Sequence, residues 1–319
     1  LVMVQQKPML VTYDTTDEDD AKLGVGLGCN GIISILIEPI NTDDENNPID
    51  FLKTILAKRQ AAVLVTLFSL DKKTLQPGTC MLITESGDVK GFSPTDGLRE
   101  TLLADAKQVL EKRSSATKVY KAESPLTGFI EMIAPAVSVI IFGAGNDAIP
   151  VVKTANILGW ETTVVDGRPN YATVQRFPTA GRILISKPDN AIPQLSFDAT
   201  TVAVLMTHNY NYDIAALKGL LPLNLPYIGA LGPKKKLDRM FDELREQGVL
   251  ITDESEANIF GPTGLDIGAE TADEIALSII SEIKTVLSRR TGKSLRDKDE
   301  TIHSREIQKI TDSNLIADK

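Results

Sequence analysis

Reactive side chains are scarce in this chain: two cysteines, two histidines and one tryptophan in 319 residues, with aromatic residues at 5%. Cys29 and Cys80 are too few for a disulfide framework and lack the paired C-x-x-C spacing of a structural zinc site, so cysteine usage fits a reducing, cytoplasmic setting. His208 and His303 alone exclude a multi-histidine metal centre built from one copy of the chain and leave carboxylate sites open. Positive charge is also short. Lysine and arginine number 34 against 43 acidic residues, giving a net charge of −9 and a pI near 4.9. That balance opposes the counterion-release attraction behind nucleic-acid binding, so no nucleic-acid partner is expected. No apolar run approaches the roughly 18–20 residues of a membrane-spanning helix, so no membrane partner is expected either. The start, LVMVQQKPML, lacks an initiator Met, a basic stretch leading into a long apolar run, and a small-residue cleavage site; it reads as an internal point of a longer protein. What is present, 42% hydrophobic and 24% charged residues, is globular in balance and long enough for about two domains of roughly 150 residues.

The pattern along the chain changes near Val137. Before it, 9–13 and 32–37 read as strands on either side of an acidic run and the stretch Gly24-Val-Gly-Leu-Gly-Cys-Asn-Gly31. A helix over 49–60, strands over 61–70 and 79–84, and a helix over 95–113 complete an α+β or α/β domain, 1–136. Within it, 114–118 reads as a polar connection and 125–128 as a turn. Beyond Val137, apolar runs at 139–142, 162–165, 183–185, 202–206 and 227–231 alternate with helical segments, the pattern of a parallel sheet covered on both faces. A Rossmann-like, doubly wound α/β domain over 137–290 is predicted, closing with helices over 234–247 and 271–287. The polar stretch 291–319 is expected to be a tail outside the core.

The sharpest local signal is Phe142-Gly143-Ala144-Gly145-Asn146-Asp147-Ala148, a G-x-G-x-x-A between a strand and a helix. In that context Gly143 permits a tight turn, Gly145 lets backbone approach a pyrophosphate, and the helix N-terminus offers free N–H groups. Asp166 ends the second strand, where an acid bonds a ribose hydroxyl; Arg168 beside it is placed to take a phosphate instead. Helix–strand packing alone is the bland account of the same glycines. His208 ends the strand 202–206 at its carboxyl edge, where open α/β sheets bind ligands, and either lines the site or merely caps the next helix. Asp213 either orients His208 or sits in the first helical turn as a dipole partner. Gly232, Lys234 and Lys235, with Lys236, open a further helix and are candidates for holding an anion, the alternative being a solvated basic turn. Asp266 lies in the loop Gly261–Gly268, which either closes over the strand ends or simply starts the last helix, Thr271 and Glu274 forming a capping box. Gly28, Cys29, Asn30 and Gly31 set a thiol in a glycine nest suited to lowering its pKa; Cys80, within an apolar strand, reads as a small buried hydrophobe.

Together these segments resemble the xanthine dehydrogenase accessory factor family, the XdhC/CoxI-type proteins. The resemblance rests on Thr12-Tyr13-Asp14, Gly26-Leu-Gly-Cys-Asn-Gly31 and Ile37-Glu38-Pro39 in the first domain. In the second it rests on Phe142-Gly-Ala-Gly145, Val165-Asp166-Gly-Arg168, Phe177-Pro178, Met206-Thr-His208, Tyr227-Ile-Gly-Ala-Leu-Gly232 and Gly264-Leu-Asp-Ile-Gly-Ala-Glu270. The family commonly has a histidine at the position of Asn146 and an upstream glycine–cysteine segment that nothing before Leu1 matches. The resemblance implies a chaperone that binds molybdenum cofactor (molybdopterin), protects it while it is sulfurated, and delivers it to a xanthine dehydrogenase or CO dehydrogenase-type molybdenum hydroxylase apoenzyme. A cysteine desulfurase as sulfur donor and a homodimer as working form go with it. In that reading Cys29 contacts the metal end, the Gly143 turn contacts phosphate or pterin, and His208 lines the cleft. The rival is an NAD(P)-dependent oxidoreductase using Gly143, Gly145 and Asp166 for the dinucleotide and His208 as acid–base group; a third reading is an assembly protein with an empty nucleotide fold.

Overall fold

The computed structural model of the chain describes residues 1–14, 32–71, 74–92, 97–120, 125–298 and 308–309. They divide into two units, Leu1–Pro135 with His303–Lys319, and Ala136–Ile302. The sequence pattern alone puts the second domain at 137–290 and a tail from 291.

The first unit opens with the short helix α1 (Val2–Gln5) and an antiparallel ribbon of β1 (Met9–Asp14) and β2 (Ile32–Ile37). Helix α2 (Pro48–Ala57) starts where Asn47 accepts hydrogen bonds from the N–H groups of Ile49 and Asp50, with Pro48 at its first position. Then come β3 (Ala62–Phe68), β4 (Gly78–Thr84), β5 (Val89–Gly91), α3 (Leu98–Lys112), β6 (Ala116–Tyr120) and β7 (Leu126–Ile133). They form a sheet of order β14-β6-β7-β3-β4-β5, in which β14 is the late segment Gln308–Lys309, parallel to β6, and every other pairing is antiparallel. Phe51 and Ile55 of α2 pack on Ala62, Leu64 and Leu82; Leu102, Ala106 and Val109 of α3 pack with Val63, Val65, Met81 and Ile130. Alternation along β3 thus feeds a helix on each face.

Two expectations fail here. The stretches read as a polar connection and a turn are β6 and β7, and β7 is internal to the sheet, between β6 and β3. Gly128, a turn residue by its sequence context, is a strand residue whose missing side chain makes room for the Tyr120 ring across the ladder.

The second unit runs β8 (Ser138–Phe142), α4 (Ala148–Ile157), β9 (Glu161–Asp166), β10 (Arg182–Ile185), α5 (Pro188–Ala191), β11 (Thr201–Leu205), α6 (Tyr210–Leu220), β12 (Ile228–Ala230), α7 (Lys234–Glu246), α8 (Asp253–Ala257), β13 (Ile259–Phe260) and α9 (Ala272–Leu287). Its six strands lie in the order β10-β9-β8-β11-β12-β13, and every pairing is parallel. Val139 and Ile141 face α4 and α9, while Ile140 and Phe142 face α6 and α7, so successive residues of one strand enter opposite cores. Burial on both faces is why these strands read as unbroken apolar runs. The capping box of Thr271 and Glu274 forms at the start of α9.

Candidate functional site

Strand order reverses between β8 and β11, and the chain leaves these two neighbouring strands by the turns that carry Gly143 and His208. Ligands of open α/β sheets bind at such a switch point, outside the carboxyl ends of the strands. Gly143 has φ +123°, and a Cβ there would meet the Met206 carbonyl oxygen at 2.5 Å, so only glycine lets the β8 turn lie against the end of β11. The buried Ala144 and exposed Asn146 follow, and α4 then begins with the Ala148 and Ile149 N–H groups donating to the Gly145 and Asn146 carbonyls at 3.3 and 3.4 Å, ahead of Pro150, which has no N–H.

His208 adopts a left-handed φ of +55°, a strained conformation for a residue with a side chain. Its ring is 68% exposed, and Nε2 lies 2.7 Å from Asp147 Oδ2, which joins the turn after β11 to the turn after β8. The next helix is capped by Asn209, whose side chain accepts from the Tyr212 N–H. Asp213 lies in the first turn of α6 but is wholly buried: Oδ1 accepts from the Thr207 hydroxyl at 2.5 Å, and Oδ2 meets Lys236 Nζ at 2.6 Å. Lys236 also donates to the Leu231 carbonyl at 3.0 Å, tying the turn after β12 to the start of α7. A cation at a helix N-terminus opposes the dipole, and Asp213 supplies the compensation for this one. Lys234 and Lys235 are exposed beyond Gly232.

Asp166, at the end of β9, accepts from the Ala144 N–H (2.8 Å) and from the backbone and guanidinium of Arg168. Burial raises a carboxyl pKa, but the Arg168 and backbone hydrogen bonds outweigh it and hold Asp166 below its ordinary value. The Arg168 guanidinium lies 4.1 Å from the Tyr171 ring centre. Arg176 donates to the Ala144 carbonyl and to Asn146 Oδ1, both at 3.0 Å. Two polar atoms beside this turn, Asp147 Oδ1 and Arg176 Nε, are buried without a hydrogen-bond partner among the described residues. Such orphaned groups suit a polar ligand or water at the turn.

Asp266 is exposed in its loop, which is anchored where Glu282 accepts from the Gly264 N–H at 2.8 Å and from the Tyr227 hydroxyl at 2.7 Å. Gly28, Cys29, Asn30 and Gly31 lie outside the described residues. Cys80 is buried in β4, and burial followed by the charge of Glu38 pushes its thiol up to about 12, which keeps it protonated and inert. Among the described residues no group of three or more His, Cys, Asp or Glu is arranged to hold a metal ion, and no helix is long and apolar enough to cross a membrane. Sequence reasoning passed over Asp147 and Arg176. Asp147 lies inside the glycine fingerprint itself, and Arg176 directly precedes the Phe177-Pro178 pair.

A six-stranded parallel sheet with a glycine turn and a helix start at its switch point defines a Rossmann-type domain. The family model described as the XdhC Rossmann domain matches residues 139–283, so this segment of the second unit is an XdhC-type Rossmann domain. It is 29% identical over 274 residues to a Bacillus subtilis protein described as a probable xanthine dehydrogenase subunit, covering 86% of this chain and 75% of that one. It is 24% identical over 161 residues, 50% of this chain and 43% of the other, to the Escherichia coli molybdenum cofactor insertion chaperone PaoD. A crystal structure described as a xanthine dehydrogenase from Bacillus halodurans is similar with a TM-score of 0.71 and 26% identity, over 92% of this chain and 80% of that chain.

Proposed function

We propose that this chain carries molybdenum cofactor and delivers it, in sulfurated form, to a xanthine dehydrogenase-type molybdenum hydroxylase. The observation that carries the reading is the turn Gly143–Asp147 at the switch point of an XdhC-type sheet, where Asp147 and the neighbouring Arg176 each leave a buried polar atom with no hydrogen-bond partner among the described residues. The relation to an insertion chaperone supports it. The cargo is a pterin with a phosphate and a dithiolene-held metal, and the Arg176 guanidinium and His208 imidazole at this edge suit its organic end. In this reading the Gly143 turn and Arg176 hold phosphate or pterin, His208 lines the same edge, held there by Asp147, and Cys29 is the candidate soft ligand for the metal end. The acceptor hydroxylase, a cysteine desulfurase as sulfur donor, a homodimer and a cytoplasmic setting complete the proposal.

The test is elemental molybdenum and oxidised-pterin fluorescence on protein purified from cells that make the cofactor. Near-stoichiometric metal and pterin are expected, with the metal reduced in Cys29→Ser. Absence of both from the wild-type chain overturns the reading.

A further inference from the structure

The end of β9 is where a dinucleotide-binding Rossmann domain reads a ribose: an acid there offers its oxygens to the diol. Asp166 has the right position but no oxygen left to offer. A carboxylate accepts about four hydrogen bonds, and four N–H groups already occupy this one. Oδ1 takes the Arg168 backbone N–H and Nε, each at 2.9 Å. Oδ2 takes the Ala144 N–H at 2.8 Å and an Arg168 terminal nitrogen at 2.7 Å. The residue is 3% exposed. Tyr212 closes the approach from α6, its ring 3.6 Å from where a Cβ on Gly167 would stand and its hydroxyl donating to the Ser186 carbonyl at 2.5 Å.

We infer that Arg168 is a specificity residue that closes the ribose seat of this sheet edge, so that the site refuses nucleosides and takes ligands with no ribose at that place. A diol that displaced Arg168 would exchange two charge-assisted hydrogen bonds for two neutral donors and leave the guanidinium without its partner. A 2′-phosphate gains little from Arg168, because its charge is already balanced by Asp166 and the phosphate would stand against that carboxylate. The inference builds on the carrier reading and narrows the cargo to a form whose phosphate bears no nucleoside.

The experiment is an equilibrium titration of the full chain with NADH and with NADPH, followed by nicotinamide fluorescence, for wild type, Arg168→Ala, Arg168→Gln and Arg168→Ala/Asp166→Asn, each first shown to melt cooperatively. Wild type is expected not to saturate below about 1 mM with either nucleotide. Arg168→Ala is expected to gain NADH affinity by about tenfold or more, a gain erased by adding Asp166→Asn. Arg168→Gln, which keeps a planar group near Tyr171 but cannot fork onto the carboxylate, shows the same gain and serves if the alanine variant does not fold. Saturation of wild type by either nucleotide overturns the inference, as does a folded variant with no gain. Failure of the carrier reading would appear separately, as absent molybdenum and pterin, whatever the nucleotides do.

Discussion

Replacing Lys236 by methionine should destabilise the parallel-sheet unit more than replacing its partner Asp213 by alanine. Asp213 is 0% exposed, whereas the Lys236 side chain is 20% exposed. Without the lysine, a buried carboxylate keeps the Thr207 hydroxyl at 2.5 Å and a long contact to the Thr207 N–H at 3.4 Å, but no opposite charge. Uncompensated buried charges cost about 3–5 kcal/mol; relief of a cation at the N-terminus of α7 returns roughly 0.3–1 kcal/mol, leaving a loss of about 3 kcal/mol. Without the aspartate, the ammonium can bend toward water on its flexible stem, so the loss should be nearer 1–2 kcal/mol. The double variant should cost less than the sum of the two, because neither charge is then orphaned. Trp160, the one tryptophan, packs partly buried against the core beneath α4 and α9, so its fluorescence reports urea unfolding of this unit alone. With a slope of about 2 kcal/mol/M, Lys236→Met should lower the midpoint by about 1.5 M. A shift under roughly 0.5 M, or a larger one for Asp213→Ala, would refute the assignment of the burden to the buried carboxylate.

Gly143→Ala should lower stability by at least about 2 kcal/mol in the same transition, since its φ is +123° and the new methyl carbon would press on the Met206 carbonyl. Wild-type behaviour would mean that the two turns are not in contact. The depressed pKa of Asp166 fixes the sign of an acid effect: its contribution is full above the ordinary value of 3.8 and is lost as pH falls through the lower folded value. The Trp160 transition should therefore weaken more steeply below that pH in wild type than in Asp166→Asn; equal slopes would show that the carboxylate is not held by its four donors.

The parallel unit was legible because its strands are buried on both faces and its turns must be glycine where backbones meet. β6 and β7 were not, for a physical reason: Thr117, Lys118 and Val119 lie on a half-exposed strand near the sheet margin, and Gly128 signals a turn unless the Tyr120 ring above it is known. At the site, spacing identified Gly143, Asp166, Arg168 and His208 one by one. It did not reveal what each touches. Asp147 and His208 stand 61 positions apart, and their contact depends on β8 and β11 being neighbours. Asp166 and Arg168 are two residues apart, yet whether they bond each other or a ligand depends on how the chain turns at the end of β9.

The pairing of β14 with β6 has a consequence for how this chain can be cut. Covalently, Ala136–Ile302 is an insert within the other unit, because the chain leaves that unit after β7 and returns to it at β14. Excising the parallel-sheet unit takes two cuts, and a stop after residue 298 would take β14 from the antiparallel sheet. β6 would then present an unpaired edge, the kind of surface on which strands of separate molecules associate. Shortened versions of this protein should therefore be judged by solubility as well as by binding.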